Sequence, residues 1–210
     1  MILPKTNKQG KPLLSYTQIN SFLNNKRDYI KQYFLGAPIE FTAYIDFGAK
    51  VGKALETADF SEFEQEEQSV LSSIPRYDEF EKEVRVDFGD FEVIGYIDTI
   101  RKDYSKLLDY KTGTEKKISE YTKPDYIQPI LYALGIEQET GHLPKEAGVV
   151  LIERLGNPFK GEQLKLGKTF WEIPLEVSTE RINFAKDLTR KVAEDISRYY
   201  EVFLKLNKII

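Results

Sequence analysis

The residues of this chain best suited to chemistry are Asp98, Asp109 and Lys111, in the segment VIGYIDTIRKDYSKLLDYKTG over residues 93–113. Two apolar runs flank a turn at Lys102–Ser105, the pattern of a β-hairpin. With the turn centred between Asp103 and Tyr104, paired residues have numbers that sum to 207, which predicts Asp98 opposite Asp109, their Cβ atoms roughly 5 Å apart. Lys111 stands two residues beyond Asp109 and projects from the same face. A three-residue loop would move the register by one and undo this pairing. Facing carboxylates repel one another, and a divalent cation is the natural compensation. Magnesium takes oxygen ligands, keeps several waters and needs few carboxylates besides a substrate phosphate. Such an ion would hold a scissile phosphate and acidify a bound water. Lys111 could orient or help deprotonate that water, or stabilise charge on the phosphate oxygens. The backbone carbonyl of Tyr110 could supply a further metal oxygen. Asp-x-Lys alone is a weak signal that also fits a surface ion pair. Asp98 and the apolar neighbours Ile97, Ile100, Leu107 and Leu108 favour the metal reading, because charges amid apolar strands are costly unless paired.

The elements that must position these groups follow from periodicity. Residues 15–34 read as one amphipathic helix with Ser15 and Gln18 as a capping box, its stripe running through Ile19, Phe22, Leu23, Ile30, Tyr33 and Phe34 to a stop at Gly36 and Pro38. Residues 46–58 read as a second helix capped by Asp46, and 61–79 as an acidic stretch with a short helix before Pro75. The period then becomes two. Residues 81–88 and 91–101 alternate around Gly89-Asp90 as a hairpin, and 106–111 make a third strand. A helix over about 125–139 closed by Gly141, strands at 147–154 and 169–177, and a long helix over roughly 179–206 complete the chain. Along the last helix Ile182, Ala185, Leu188, Val192, Ile196, Tyr199 and Phe203 share one side. This order predicts an α/β chain of the α+β type, a central mixed β-sheet flanked by helices, and a single domain over 1–210.

Composition narrows the function classes. Charged residues make up 30% and hydrophobic residues 41% of 210 residues, as in ordinary globular proteins. The net charge of −4 does not favour indiscriminate nucleic-acid binding, although basic groups such as Lys26-Arg27, Lys50/Lys53 and Lys116-Lys117 can share a face. No apolar run is long enough for a membrane span, and the N-terminus lacks the apolar stretch of a signal peptide. The absence of cysteine rules out disulfides, thiolate metal sites and iron–sulfur clusters. The expectation is an intracellular, cytoplasmic protein.

The segment resembles the PD-(D/E)XK nuclease superfamily, and within it the RecB-like branch. Gly95-Tyr96-Ile97-Asp98 followed by Leu108-Asp109-Tyr110-Lys111-Thr112-Gly113 is similar to the branch's G-x-x-D and D-Y-K-T-G signature. Gln128-Pro129-Ile130-Leu131-Tyr132 matches its Q-x-x-x-Y motif, while Ser15 to Tyr29 and Phe47-Gly48-Ala49-Lys50-Val51 look like its opening helix and its F-G-x-x-x-H helix. The likeness covers about residues 14–136 in the correct order. It implies a restriction-endonuclease-like core, metal carboxylates at Asp98 and Asp109, and a catalytic lysine at Lys111. It also implies active-site roles for Gln128 and Tyr132, one helical turn apart on a shared face.

Three departures accompany it. Gly52 stands where the branch has a metal-binding His, and Glu56, one turn later, either replaces it or is a solvated glutamate. Pro129 fits only a first helical turn or else kinks the helix. Asn25 occupies the place of the first cluster cysteine in some relatives, so no iron–sulfur cluster is expected. Glu83, alternating with Glu81 and Arg85, fits an exposed charged ladder better than a metal ligand, and His142 fits a surface turn.

The resemblance implies a Mg²⁺- or Mn²⁺-dependent DNA nuclease, an exonuclease or end-processing enzyme of recombination, repair or phage DNA metabolism. A compact free-standing domain would suit a small phage or mobile-element enzyme, and the Lys/Ile/Tyr/Asn-rich composition hints at an A·T-rich genome. The missing His motivates an alternative, a catalytically silent nucleic-acid-binding or assembly protein on the same fold. A site-specific restriction enzyme fits less well, because no added recognition region is evident. The expected partner is DNA, as single strands or duplex ends. A homo-oligomer, or a recombination or replication protein as partner, stays open.

Overall fold

The computed structural model describes residues 1–38 and 42–207. Strand β1 (Leu13–Ser15) leads directly into helix α1 (Tyr16–Asn24), which starts at Ser15 through the expected capping box with Gln18. The single helix predicted over 15–34 is broken at Asn25, whose extended backbone (φ −152°, ψ 80°) ends α1. Its side chain accepts the Asp28 N–H to start α2 (Lys26–Tyr33). A side chain that competes for backbone N–H groups favours a cap over a helix interior. Leu23, expected in the buried stripe, is exposed.

Helix α3 (Ala43–Thr57) is capped by Thr42. Asp46, the predicted cap, lies instead in its first turn, where a carboxylate suits the positive end of the helix dipole. The short acidic helix is α4 (Gln65–Ser73). Strands β2 (Glu79–Asp87) and β3 (Glu92–Ile100) form the expected hairpin, and β4 is Lys106–Gly113. A short helix α5 (Ile118–Tyr121), not anticipated, precedes α6 (Gln128–Thr140). Pro129 sits in the first turn of α6, so it leaves the helix unkinked, and Gly141 closes it in the left-handed region at φ 81°. Strands β5 (Glu146–Leu155) and β6 (Lys165–Leu175) and the long helix α7 (Thr179–Asn207) follow. In α7 the buried line runs through Ile182, Ala185, Val192 and Ile196 as expected, but Tyr199 is exposed.

Among the described residues this makes a mixed six-stranded sheet flanked by seven helices. One face packs on α1, α2, α6 and α7, where Phe22, Tyr29, Leu131 and Ile196 meet Val93, Val149 and Leu151 of the sheet. The other face packs on α3 and α4, where Val51, Leu55 and Leu71 meet Leu108, Val150 and Ile152. Adjacent residues of β5 thus enter opposite cores, as the period of a doubly covered strand requires. Among the described residues no helix is long and apolar enough to cross a membrane.

The sheet forks at β3. One edge of β3 is covered along its length by β2. The other edge is shared: β1 runs parallel beside Glu92–Ile94, and β4 pairs antiparallel with Thr99 and Ile100 alone. Between them Gly95 to Asp98 have no ladder partner on that side. Tyr132 of α6 fills the gap, and a Cβ on Gly95 would lie 2.3 Å from its ring, so only glycine fits there.

Candidate active site

The hairpin register is the one expected from its turn. Thr99 pairs with Leu108 and Ile100 with Leu107, so the next pair would be Asp98 and Asp109. The ladder opens there. The Tyr110 N–H donates to the Asp98 carboxylate rather than to a backbone carbonyl, at 2.5 Å. Beyond this point β4 leaves β3 and continues beside β5, paired through Gly113. A side chain has replaced a backbone acceptor, and the parting strands leave Asp98 at a cleft while Asp109 stays buried.

Asp109 is almost wholly buried, at 1% exposure, and accepts from Lys111 Nζ at 2.6 Å. Its Oδ2 also accepts from the Tyr126 hydroxyl at 3.1 Å. The same hydroxyl lies 3.3 Å from Gln128 Oε1, and Gln128 Nε2 donates to the Tyr132 hydroxyl at 2.7 Å. Gln128 and Tyr132 are therefore bonded to each other, and Tyr126 joins them to Asp109. Asp98 lines a cleft of about 500 Å³ on the α3 side, together with Tyr110, Lys111, Glu56, Glu81 and Gly52. The Tyr110 side chain runs out of the site, its hydroxyl donating to the Pro75 carbonyl at 2.7 Å.

The charges are mutually constrained. Burial, then the neighbouring Asp109, pushes the Asp98 carboxyl up to about 7, while Lys111 and the Tyr110 N–H pull it back. Burial acts to lower Lys111, but Asp109 and Asp98 outweigh it and hold the ammonium above its ordinary value. Glu81 is raised by burial and then by Glu56, against the pull of Lys53, with a further upward push from Asp109. Burial and Asp109 also raise Tyr126 and Tyr132, so both hydroxyls stay neutral.

A carboxyl raised by burial and by a neighbouring carboxylate, as Asp98 is, suits a cation. Among the described residues no three His, Cys, Asp or Glu side chains converge as a ready-made cage. That donor set fits a hard, partly hydrated ion such as Mg²⁺, which shares its coordination among one or two carboxylates, water and substrate. Glu56 lines the cleft but is tied to Lys53 at 2.9 Å. At Gly52 a Cβ would meet nothing within 4 Å, so no packing constraint accounts for the glycine there.

The model of the PD-(D/E)XK nuclease superfamily matches residues 49–202. The chain belongs to this superfamily. The match reaches into the final third of the chain, beyond the motifs that carried the resemblance. Among solved structures, this PD-(D/E)XK chain is similar to a candidate exonuclease from Eubacterium rectale, at TM-score 0.62 and 11% identity, covering 95% of this chain and 88% of that one. It is also similar to the alkaline exonuclease LHK-Exo from Laribacter hongkongensis, at TM-score 0.51 and 12% identity with 94% of each chain covered. The same exonuclease in complex with dAMP gives TM-score 0.52 and 12% identity, with 95% of each chain covered. At these identities the likeness is one of fold. A comparison with curated proteins finds no significant match.

Two residues of this candidate site carried no clear mark in the sequence. Glu81 enters the cleft because its backbone turns to φ +49° within β2, opposite Asp98 in the hairpin register. An indirect signal was available, since a turn centred on Gly89-Asp90 makes residues 81 and 98 partners. Glu83, weighed in its place, is exposed and bonded to Arg85 at 2.7 Å. Tyr126 lies in the loop before α6, and no periodicity marked it. His142 is exposed, as expected.

Proposed function

We propose that this chain is a metal-dependent deoxyribonuclease, an exonuclease or end-processing enzyme that hydrolyses phosphodiester bonds in recombination, repair or phage DNA metabolism. The observation that carries this reading is the grouping of Asp98, Asp109 and Lys111 where β3 and β4 part, with Asp98 and Lys111 lining a cleft. The exonuclease names of two proteins with the same fold support it.

Asp98 and Asp109 would hold Mg²⁺ or Mn²⁺, with the Tyr110 carbonyl and Glu56 as candidate further oxygens. When bound, the ion supplies charge stabilisation at the phosphate and acidifies a water. Lys111 carries its proton on Nζ, fixed by Asp109. It therefore acts as a donor, to a phosphate oxygen or to the attacking water, rather than as a ready base. Tyr126 holds Asp109 in place, and Gln128 and Tyr132 brace Tyr126 from α6. The substrate is DNA, as single strands or duplex ends.

The test uses end-labelled single- and double-stranded DNA with Mg²⁺, Mn²⁺ or EDTA. Cleavage with metal is expected, none in EDTA, and a loss of at least about 10²-fold in Lys111→Ala. Gly52, at the usual His position, favours the silent reading. DNA binding without cleavage under either metal would establish that alternative.

A further inference from the structure

Beyond Lys111 the cleft continues to a group of residues that hold no metal. Tyr44, in the first turn of α3, and Arg154, at the end of β5, both line it. The Arg154 guanidinium carbon sits 4.1 Å from the centre of the Tyr44 ring. Among the described residues its hydrogen bond goes to the Thr112 carbonyl at 3.5 Å, and none goes to a carboxylate. Thr112 follows Lys111 directly, so this cation lies next to the catalytic group. On from Tyr44, the Phe159 ring lies 6.1 Å away between centroids and is 87% exposed.

An isolated exposed Phe needs no explanation. This one is held out by a structured loop. Asn157 Oδ1 accepts from the Phe159 N–H at 3.0 Å, and its carbonyl accepts from Lys160 and Glu162. Gly161 closes the turn in the left-handed region at φ 76°. The Tyr44 hydroxyl reaches Asn157 at 3.4 Å and ties the loop to α3. Cation, ring and ring thus run in series outward from the catalytic cleft.

A guanidinium without a carboxylate partner suits a phosphate. Adjacent aromatic faces suit bases, and every base has such a face, so the recognition is indifferent to sequence. Base faces within a closed duplex are already covered by their neighbours. We propose that Arg154, Tyr44 and Phe159 form a platform that takes unpaired nucleotides beside the scissile phosphate, selecting single strands or frayed ends over closed duplex. This deepens the nuclease reading and rests on it.

The test measures binding apart from cleavage. A labelled oligothymidylate, an abasic strand of equal length and a closed hairpin duplex are titrated in Ca²⁺ by fluorescence anisotropy, against the full chain and against Phe159→Ala, Tyr44→Ala and Arg154→Gln. Phe159→Ala changes an exposed side chain and keeps the fold. It is expected to weaken oligothymidylate binding roughly tenfold, the loss of one stacked base, with no change for the abasic strand or the duplex. Arg154→Gln is expected to flatten the salt dependence by about 0.7 in log–log slope, one phosphate contact to a single strand. Unchanged affinity in Phe159→Ala, an equal loss on abasic or duplex DNA, or no oligothymidylate binding by the unaltered chain overturns the platform. Cleavage by the unaltered chain in Mg²⁺ or Mn²⁺ is scored separately. Its absence, with the stacking loss intact, sinks the nuclease reading and leaves the platform standing.

Discussion

Two unlike helices serve the candidate site from opposite faces of the sheet, α6 behind Asp109 and α3 along the cleft. Helix α6 buries every residue from Pro129 to Ile136, and a Cβ on Gly135 would lie 2.1 Å from Val84 Cγ2. Helix α3 buries Val51, Ala54 and Leu55 and turns Lys53, Glu56 and Gly52 toward the cleft. Helix α6 orients the Gln128–Tyr132 pair, because it has no room to move. The α3 wall is solvated, carries charge and leaves space. Dense packing on one face holds Gln128 and Tyr132 and, through Tyr126, Asp109, while the looser helix on the other face borders the cleft.

The comparison breaks most readily at Gly135. Gly135→Ala is expected to destabilise the chain by roughly 1–3 kcal/mol, because a rigid β-branched neighbour must shift. Denaturant titration measures this, and an unchanged midpoint would mean that α6 is not tightly packed. Next in size, Tyr126→Phe removes the hydroxyl on Asp109 while keeping the ring. A fall of roughly tenfold in kcat is expected, about 1.4 kcal/mol, with Tm nearly unchanged. A large Tm loss with normal kcat per folded molecule would make Tyr126 a packing residue.

The third prediction concerns pH. In the metal-free protein Asp98 keeps its proton up to about 7, against an ordinary value of 3.8. Between those values the folded state binds more protons than the unfolded chain, so stability falls as pH rises through the window and levels off above it. Thermal melts in EDTA should give a lower Tm near about pH 8 than near about pH 5, and Asp98→Asn should flatten the trend. A metal-free Tm that climbs over that range would show that Asp98 is not held protonated. The smallest effect belongs to the open wall. Gly52→Ala should stabilise the chain by about 0.8–1.0 kcal/mol, the helix-propensity difference, since the added methyl meets nothing. A destabilised Gly52→Ala would mean that this wall is closed in solution.

Local signals in the sequence were read well where the physics is local. The capping box at Ser15 and Gln18 and the hairpin turns at Gly89-Asp90 and Asp103-Tyr104 act over a few residues, and the strands they join keep the expected register. The break at Asn25 was hidden because apolar residues continue across it, while the competing Asn side chain leaves no mark on periodicity. Strand β1 was missed because three residues carry no period, and its partner lies far along the chain. Glu81, Tyr126 and Arg154 were missed as site residues for a related reason. Glu81 reaches the cleft through a backbone reversal and Arg154 from a neighbouring strand, while Tyr126 reaches Asp109 from a loop.

By itself the sequence determined which groups are available for chemistry and how the hairpin sets Asp98 against Asp109, because turn geometry and the two-residue strand period are properties of adjacent residues. Only the tertiary structure decided that the two strands part at that pair. Strands β1 and β4 share one edge of β3, and Tyr132 wedges against Gly95 in the gap between them. Shared edges and packed rings join segments distant along the chain, and that closure converts a pair of facing aspartates into an open site.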